Sequence, residues 1–244
     1  MKLTEHIFLV GSGEIGISNE HDCNVYVIDC KREAVMIDAG AGLDIDSLLN
    51  NATNSGVDIG KLKKLLLTHG HADHAGGAAE LKRRLGLSVY ANRREAKLIE
   101  EGDERALGLD IAKRSGLYFP EYRFTPCKVD VFITHNQKII AGGLEIRAIN
   151  VPGNSPGSTC YLVDLPEGRA LFTGDVVFPH GVIGFMNCKG ASLAGYRRFL
   201  RRLSGLEVDL LLPGHRGFVL KRGQAHIDQA VEAVSDLHVP KSFL

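Results

Sequence analysis

The chain has 244 residues, 44% hydrophobic and 24% charged, enough for one large domain or two small ones with an ordinary core. Lys and Arg balance Asp and Glu at 29 each, so no global field draws it to nucleic acid or to a membrane surface. Five scattered cysteines with no C-x-x-C pair, no recognisable secretory leader and no apolar run of membrane length lead us to expect a soluble cytoplasmic protein without cysteine-based zinc chemistry.

Strands are expected over residues 7–10, 25–29 and 34–38, which are β-branched and aliphatic. Ile45, Leu48, Leu49 and Ala52 recur at the i, i+3, i+4, i+7 spacing of an amphipathic helix over 43–52. Residues 62–67 read as a compact strand, 74–85 as a helix and 87–90 as the next strand. Residues 92–116 are charged and helical, and 119–127, with prolines and aromatics, read as loop. Residues 129–150 form strands around a turn at Gly142-Gly143, followed by strands over 160–164 and 170–173. Tyr196, Phe199, Leu200 and Leu203 mark a helix, 210–212 a short strand, and Ile227, Val231 and Val234 the last helix. No linker or low-complexity tract interrupts the chain, so we expect one α/β domain over 1–244, with a helical and loop insertion around 92–127.

Gly11-Ser12-Gly13-Glu14-Ile15-Gly16 has the G-x-G-x-x-G form of a dinucleotide fingerprint. That motif works only when its last glycines open a helix facing the pyrophosphate. The next strand begins by Val25, which leaves no room for a crossover helix. The stretch therefore reads as a glycine-rich loop between antiparallel strands, one that can still border a site.

Thr68-His69-Gly70-His71-Ala72-Asp73-His74 sets three imidazoles and a carboxylate within six residues, directly after an apolar strand. Imidazole nitrogen and carboxylate oxygen are the usual non-thiolate ligands of zinc. Asp73 alone would read as a helix N-cap, and each histidine alone as a loop residue; the density argues for a metal site. Asp38, Asp175 and His215 each follow an apolar strand beside glycine, which is how a sheet edge presents ligands.

With Val151-Pro152-Gly153-Asn154-Ser155-Pro156-Gly157-Ser158, these segments resemble the metallo-β-lactamase-fold superfamily from residue 38 to 215. The resemblance implies a four-layer αβ/βα sandwich of two mixed β-sheets flanked by helices, with metal at one sheet edge. It implies two metal sites sharing Asp175: His69, His71 and the third-motif residue in one, Asp73, His74 and His215 in the other. Asp38 would orient a ligand from behind. The third motif normally supplies a histidine where this chain has Asn154, a neutral and weaker donor, so the first site should bind metal less tightly. His180 is the nearest histidine by sequence to fill that gap, although a pocket or surface role suits it better.

The function expected is a metal-dependent hydrolase of a small-molecule ester, lactone or thioester. Its metal lowers the pKa of water from ~15.7 to ~7 to give hydroxide, and Asp73 or Asp175 handles the proton. Zinc, one or two per chain, is the expected cofactor, and the same donors accept iron or manganese. Tyr118 and Tyr122, with His180, are the candidate substrate contacts. Two alternatives stand beside this reading: a non-haem iron dioxygenase acting on a sulfur compound, and a binding protein of the same fold without turnover. No nucleic-acid or membrane partner is expected, and the oligomeric state is open, a homodimer included.

Overall fold

The computed structural model describes residues 1–236 and 239–243; the remaining residues of the expected 1–244 domain lie outside that description. Its first sheet has six strands in sequential order: β1 (Ile7–Gly11), β2 (Val25–Asp29), β3 (Ala34–Ile37), β4 (Leu62–Leu66), β5 (Ser88–Asn92) and β6 (Val131–Ile133). The first three strands pair antiparallel, and β3 through β6 pair parallel. The second sheet comprises β7 (Lys138–Ala141), β8 (Leu144–Asn150), β9 (Thr159–Leu165), β10 (Gly168–Gly174) and β11 (Leu210–Pro213), in the order β11-β10-β9-β8-β7. Only its β10–β11 pair is parallel.

Alternation along the strands explains their nearly continuous apolar runs. On β1 and β2, Ile7, Leu9, Tyr26 and Ile28 point to one side, against Ile146, Tyr161, Phe172 and Leu212 of the second sheet. Phe8, Val10 and Val27 point to the other side, where they meet helices. A strand covered on both faces has no solvated side and reads as an unbroken hydrophobic run. Helices α1 (Ile45–Asn54), α3 (Ala78–Leu85) and α4 (Arg93–Glu101) cover the first sheet through Leu48, Leu81 and Ile99. Helices α6 (Leu193–Phe199) and α7 (Gly223–Ser235) cover the second through Tyr196 and Ile227. The result is the four-layer αβ/βα sandwich that the resemblance implies.

Two expected helices are each split. The 74–85 helix is α2 (Ala72–Ala75) followed by α3. A Cβ at Gly77 would stand 2.1 Å from the Ala39 carbonyl oxygen, so the break lets the backbone press onto the loop after β3. The 92–116 helix is α4 and then α5 (Leu109–Arg114), α4 ending at Gly102 in the left-handed conformation. The glycine-rich stretch after β1 leads into antiparallel β2 without a helix between them. No helix among the described residues is long and apolar enough to cross a membrane.

Candidate metal centre

The carboxyl ends of β3, β4, β10 and β11 meet at one rim of the sandwich. Asp38, just past β3, holds a left-handed backbone at φ 61°, which costs roughly 1–2 kcal/mol for a residue with a Cβ. That strain places its carboxylate under the β4 turn. Oδ1 accepts from the Thr68 backbone N–H at 2.7 Å, and Oδ2 accepts from the Thr68 hydroxyl at 2.8 Å and from His74 Nδ1 at 2.8 Å. The Thr68 hydroxyl, its proton given to Asp38, accepts from His69 Nδ1 at 3.0 Å. Both imidazoles therefore carry hydrogen on Nδ1, and Nε2 is the atom each turns toward a cation.

His74 Nε2 faces three other donors. It lies 3.4 Å from His215 Nε2, 3.4 Å from Asp73 Oδ2 and 3.3 Å from Asp175 Oδ1. His215 Nε2 closes the figure at 2.9 Å from Asp73 Oδ2 and 3.7 Å from Asp175 Oδ1. Donors ~2.0–2.1 Å from a tetrahedral ion are about 3.3–3.4 Å apart, so Asp73, His74 and His215 are spaced to hold a divalent cation, with Asp175 Oδ1 beside the two imidazoles. Asp175 Oδ1 is buried without a hydrogen-bond partner, as an atom reserved for a cation would be. Gly214 permits the cluster: a Cβ there would stand 2.5 Å from His74 Cε1 and 2.7 Å from Asp175 Oδ1.

Asp175 reaches a second group with its other oxygen. His69 Nε2 lies 4.0 Å from Asp175 Oδ2 and 3.0 Å from His71 Nδ1. His69, His71 and Asp175 form a buried donor set of their own. Asn154 is fully buried. Its Nδ2 donates to the Gly184 carbonyl at 2.7 Å, its Oδ1 has no partner, and Gly184 packs directly against Asp175.

Neighbouring charge sets the two groups of imidazoles apart, since burial opposes charge at all four. Burial keeps His69 well below the ordinary imidazole pKa, helped by His74 and His71, and it lowers His71 as well. Those two rings stay neutral, as ligands must. At His74 burial opposes charge, but Cys23, Asp73, Asp175 and Asp38 outweigh it and hold the pKa well above the ordinary value. His215 is raised against burial by Asp175 and Asp73. The same contacts overcome burial at Asp73, through His74 and His215, and at Asp175, through His215 and His74, and hold both below the usual carboxylate range. Without an ion, protons on His74 and His215 neutralise the carboxylates.

The structure thus brings together His69, His71, Asp73, His74, Asp175 and His215, with Asp38 behind them. It places two expected contacts elsewhere. His180 is exposed beside α7, where its backbone N–H donates to His226 Nδ1 at 2.9 Å; it does not line the cavity next to the donors. A left-handed turn at φ 65° sends it away. Tyr122 lies beneath the cavity wall, its hydroxyl donating to the Ala41 carbonyl at 2.7 Å. Tyr118 does line the cavity.

Three residues escape a reading by pattern. Glu95 is buried, and its carboxylate accepts from the Gly70 N–H at 2.8 Å, the Ser155 hydroxyl at 2.7 Å and the Gly157 N–H at 2.6 Å. It ties the His69–His71 turn to the Asn154 loop. In sequence it is only the Glu of Asn92-x-x-Glu95, the form of a helix capping box. Glu14, in the glycine-rich loop, accepts from the Arg216 N–H at 2.8 Å and approaches His215 Nδ1 at 3.7 Å. Cys23, with nothing in its spacing to mark it, sits with Asp38 and His74 in a third buried group able to hold a metal. There His74 Nδ1 and Asp38 are already paired, and burial pushes the thiol pKa up and favours the protonated thiol.

Comparisons with known proteins bear on the family and the fold. An atrochrysone carboxyl ACP thioesterase of Aspergillus fumigatus is 27% identical over 230 residues, 94% of this chain and 62% of its own length. The lactamase-like protein nscB of Arthroderma benhamiae is 26% identical over 232 residues, 94% of this chain and 44% of its own. The chain spans less than two thirds of the length of either. A mutant metallo-beta-lactamase from Cronobacter sakazakii shares the fold, with a TM-score of 0.74 at 22% identity, covering 96% of this chain and 94% of that one. The family model described as the metallo-beta-lactamase superfamily matches residues 18–215, from before β2 to the last donor, and the chain belongs to that superfamily.

Proposed function

We propose that the chain is a zinc-dependent hydrolase of a small-molecule ester, lactone or thioester. The observation that carries this reading is the convergence of His74 Nε2, His215 Nε2 and Asp73 Oδ2 on one point, with Asp175 Oδ1 3.3 and 3.7 Å from the two imidazoles. Bound zinc supplies Lewis acidity toward a carbonyl and acidifies water to a pKa of ~7.

The protein supplies the remaining parts. Asp38 and Thr68 hold Nδ1 of His74 and His69, so each ring presents Nε2 to the ion without turning. Asp175 divides its oxygens between the two donor groups and holds them at a fixed separation. Asp73 is the more open carboxylate, its side chain 22% exposed against 2% for Asp175. It lines the cavity and is placed to orient water and accept its proton at a carboxylate oxygen. The thioesterase name of one relative favours a thioester among the three bond types. The five cysteines are all free, which suits a reducing, cytoplasmic setting.

The test is a panel of p-nitrophenyl esters, an acyl thioester and a lactone, offered to chelator-treated and zinc-reloaded protein. Turnover that vanishes with the metal and returns with it supports the proposal. No turnover of any member after reloading overturns it.

A further inference from the structure

The cavity beside the donors encloses about 730 Å3, within the range that accepts a drug-sized ligand. His71, Asp73, Asp175 and His215 form one end of it. The body is apolar, built mainly from Leu107, Leu109, Ile111, Leu117, Phe185 and Met186. Apolar surface continues outward: Leu117 is 48% exposed, and Phe119, 42% exposed, packs on the wall residue His21.

Its histidines aside, the charged residues of the wall are of one sign. Glu14 and Glu20 line it beyond the metal-facing carboxylates, and no lysine or arginine does so among the described residues. The Tyr118 hydroxyl, buried and without a hydrogen-bond partner, is a neutral donor in the same wall, suited to a carbonyl oxygen.

We infer that this site selects substrates whose acyl part is apolar and uncharged, and discriminates against acyl groups carrying a carboxylate. The inference rests on the hydrolase reading above and narrows its substrate class. An aliphatic or aromatic acyl group exchanges water for the apolar wall at no electrostatic cost. A carboxylate at the far end of the same group loses hydration, meets no lysine or arginine in the wall and faces Glu14 and Glu20.

A matched pair of substrates tests this on the zinc-loaded protein: p-nitrophenyl hexanoate and the mono-p-nitrophenyl ester of adipic acid, which differ by a terminal carboxylate. The hexanoate is expected to be preferred in kcat/KM by at least ~100-fold at low salt. Ile111→Lys places a cation in the wall and should narrow that preference by ~10-fold or more. Equal turnover of the pair, or a preference for the adipate, overturns the inference while leaving the hydrolase reading intact. Should Ile111→Lys fail to fold, the wild-type pair decides alone. Should the wild type hydrolyse neither ester, the hydrolase reading falls, and the charge inference is decided by calorimetry with 2-octanone and 7-oxooctanoate. Tighter binding of the ketone upholds it, and equal or tighter binding of the oxoacid overturns it.

Discussion

Glu95 touches no metal donor, yet its removal should be felt at the metal. In Glu95→Ala the Gly70 and Gly157 N–H groups, which bond to its carboxylate at 2.8 and 2.6 Å, are left in the interior without an acceptor. The Ser155 hydroxyl keeps a partner in Ser158 Oγ at 2.7 Å. Two orphaned donors at about 1–3 kcal/mol each give a loss of about 2–6 kcal/mol, a large part of the 5–15 kcal/mol that stabilises an ordinary domain. In a protein of this size that lowers the melting temperature by roughly 5–20 °C. Glu95→Gln is milder and more local. Its carbonyl still accepts from Ser155 and Gly157, but its amide NH2 lands opposite the Gly70 N–H, at a cost of about 1–3 kcal/mol. Gly70 separates His69 from His71, so the Gln variant should lose zinc affinity at that group before the other. Circular dichroism melts and zinc titrations against a chromophoric chelator read both effects. Melting temperatures within about 1 °C of wild type for both variants, with unchanged titrations, would refute the role of Glu95 as the tie between the loops.

Further perturbations act on the donors themselves. Asp175→Ala should abolish metal binding and turnover together, because its two oxygens face different donor groups; full activity in that variant would contradict the assignment. Gly214→Ala pushes a methyl group against His74 and Asp175, so elemental analysis and titration should find zinc affinity reduced ~10–100-fold, as for other changes that misplace ligands. Asn154→His should strengthen binding at the His69–His71 group, read as a gain in the weaker step of a zinc titration; an unchanged titration would show that Asn154 is not a weakened donor. The metal-free protein should be most stable near pH 6.5, the ordinary imidazole value. Above it, the stability contributed by protonated His74 and His215, whose folded pKa values are raised, is lost as pH rises through those values. Below it, His69 and His71 are kept neutral by burial while the unfolded chain takes up protons, so stability falls with pH. Zinc must displace the protons on His74 and His215, so the loaded protein should gain stability above that pH. Melts of chelated and loaded protein across pH 5–9 check the opposed trends, and parallel curves would contradict them.

Much of the fold was legible because buried strands leave strong local marks: 25–29 and 34–38 are nearly unbroken aliphatic runs, and β2 and β3 lie where those runs lie. The interruption of the 74–85 helix leaves no mark in the sequence, since its apolar spacing continues across Gly76-Gly77, and only the approach of the loop after β3 requires the break. The donors from His69 to His74 stood out because six adjacent residues carry them. Asp175 and His215 stood out through glycines at strand ends, and Gly214 has a steric reason to be glycine. Glu95 and Cys23 carry no local mark, because their roles depend on loops that meet only in three dimensions. His180 and Tyr122 suit a substrate contact by residue type alone, and the backbone path directs one to solvent and the other to a carbonyl of the framework.

The central claim is that His74, His215, Asp73 and Asp175 hold a divalent ion, and metal content per chain tests it most directly. Wild type and His215→Ala would be purified without chelator, reconstituted with zinc, desalted and measured by elemental analysis. The account predicts at least one zinc ion per wild-type chain and the loss of that ion in His215→Ala. A wild-type chain that retains no metal after reconstitution, or a variant that retains the full wild-type content, would contradict it.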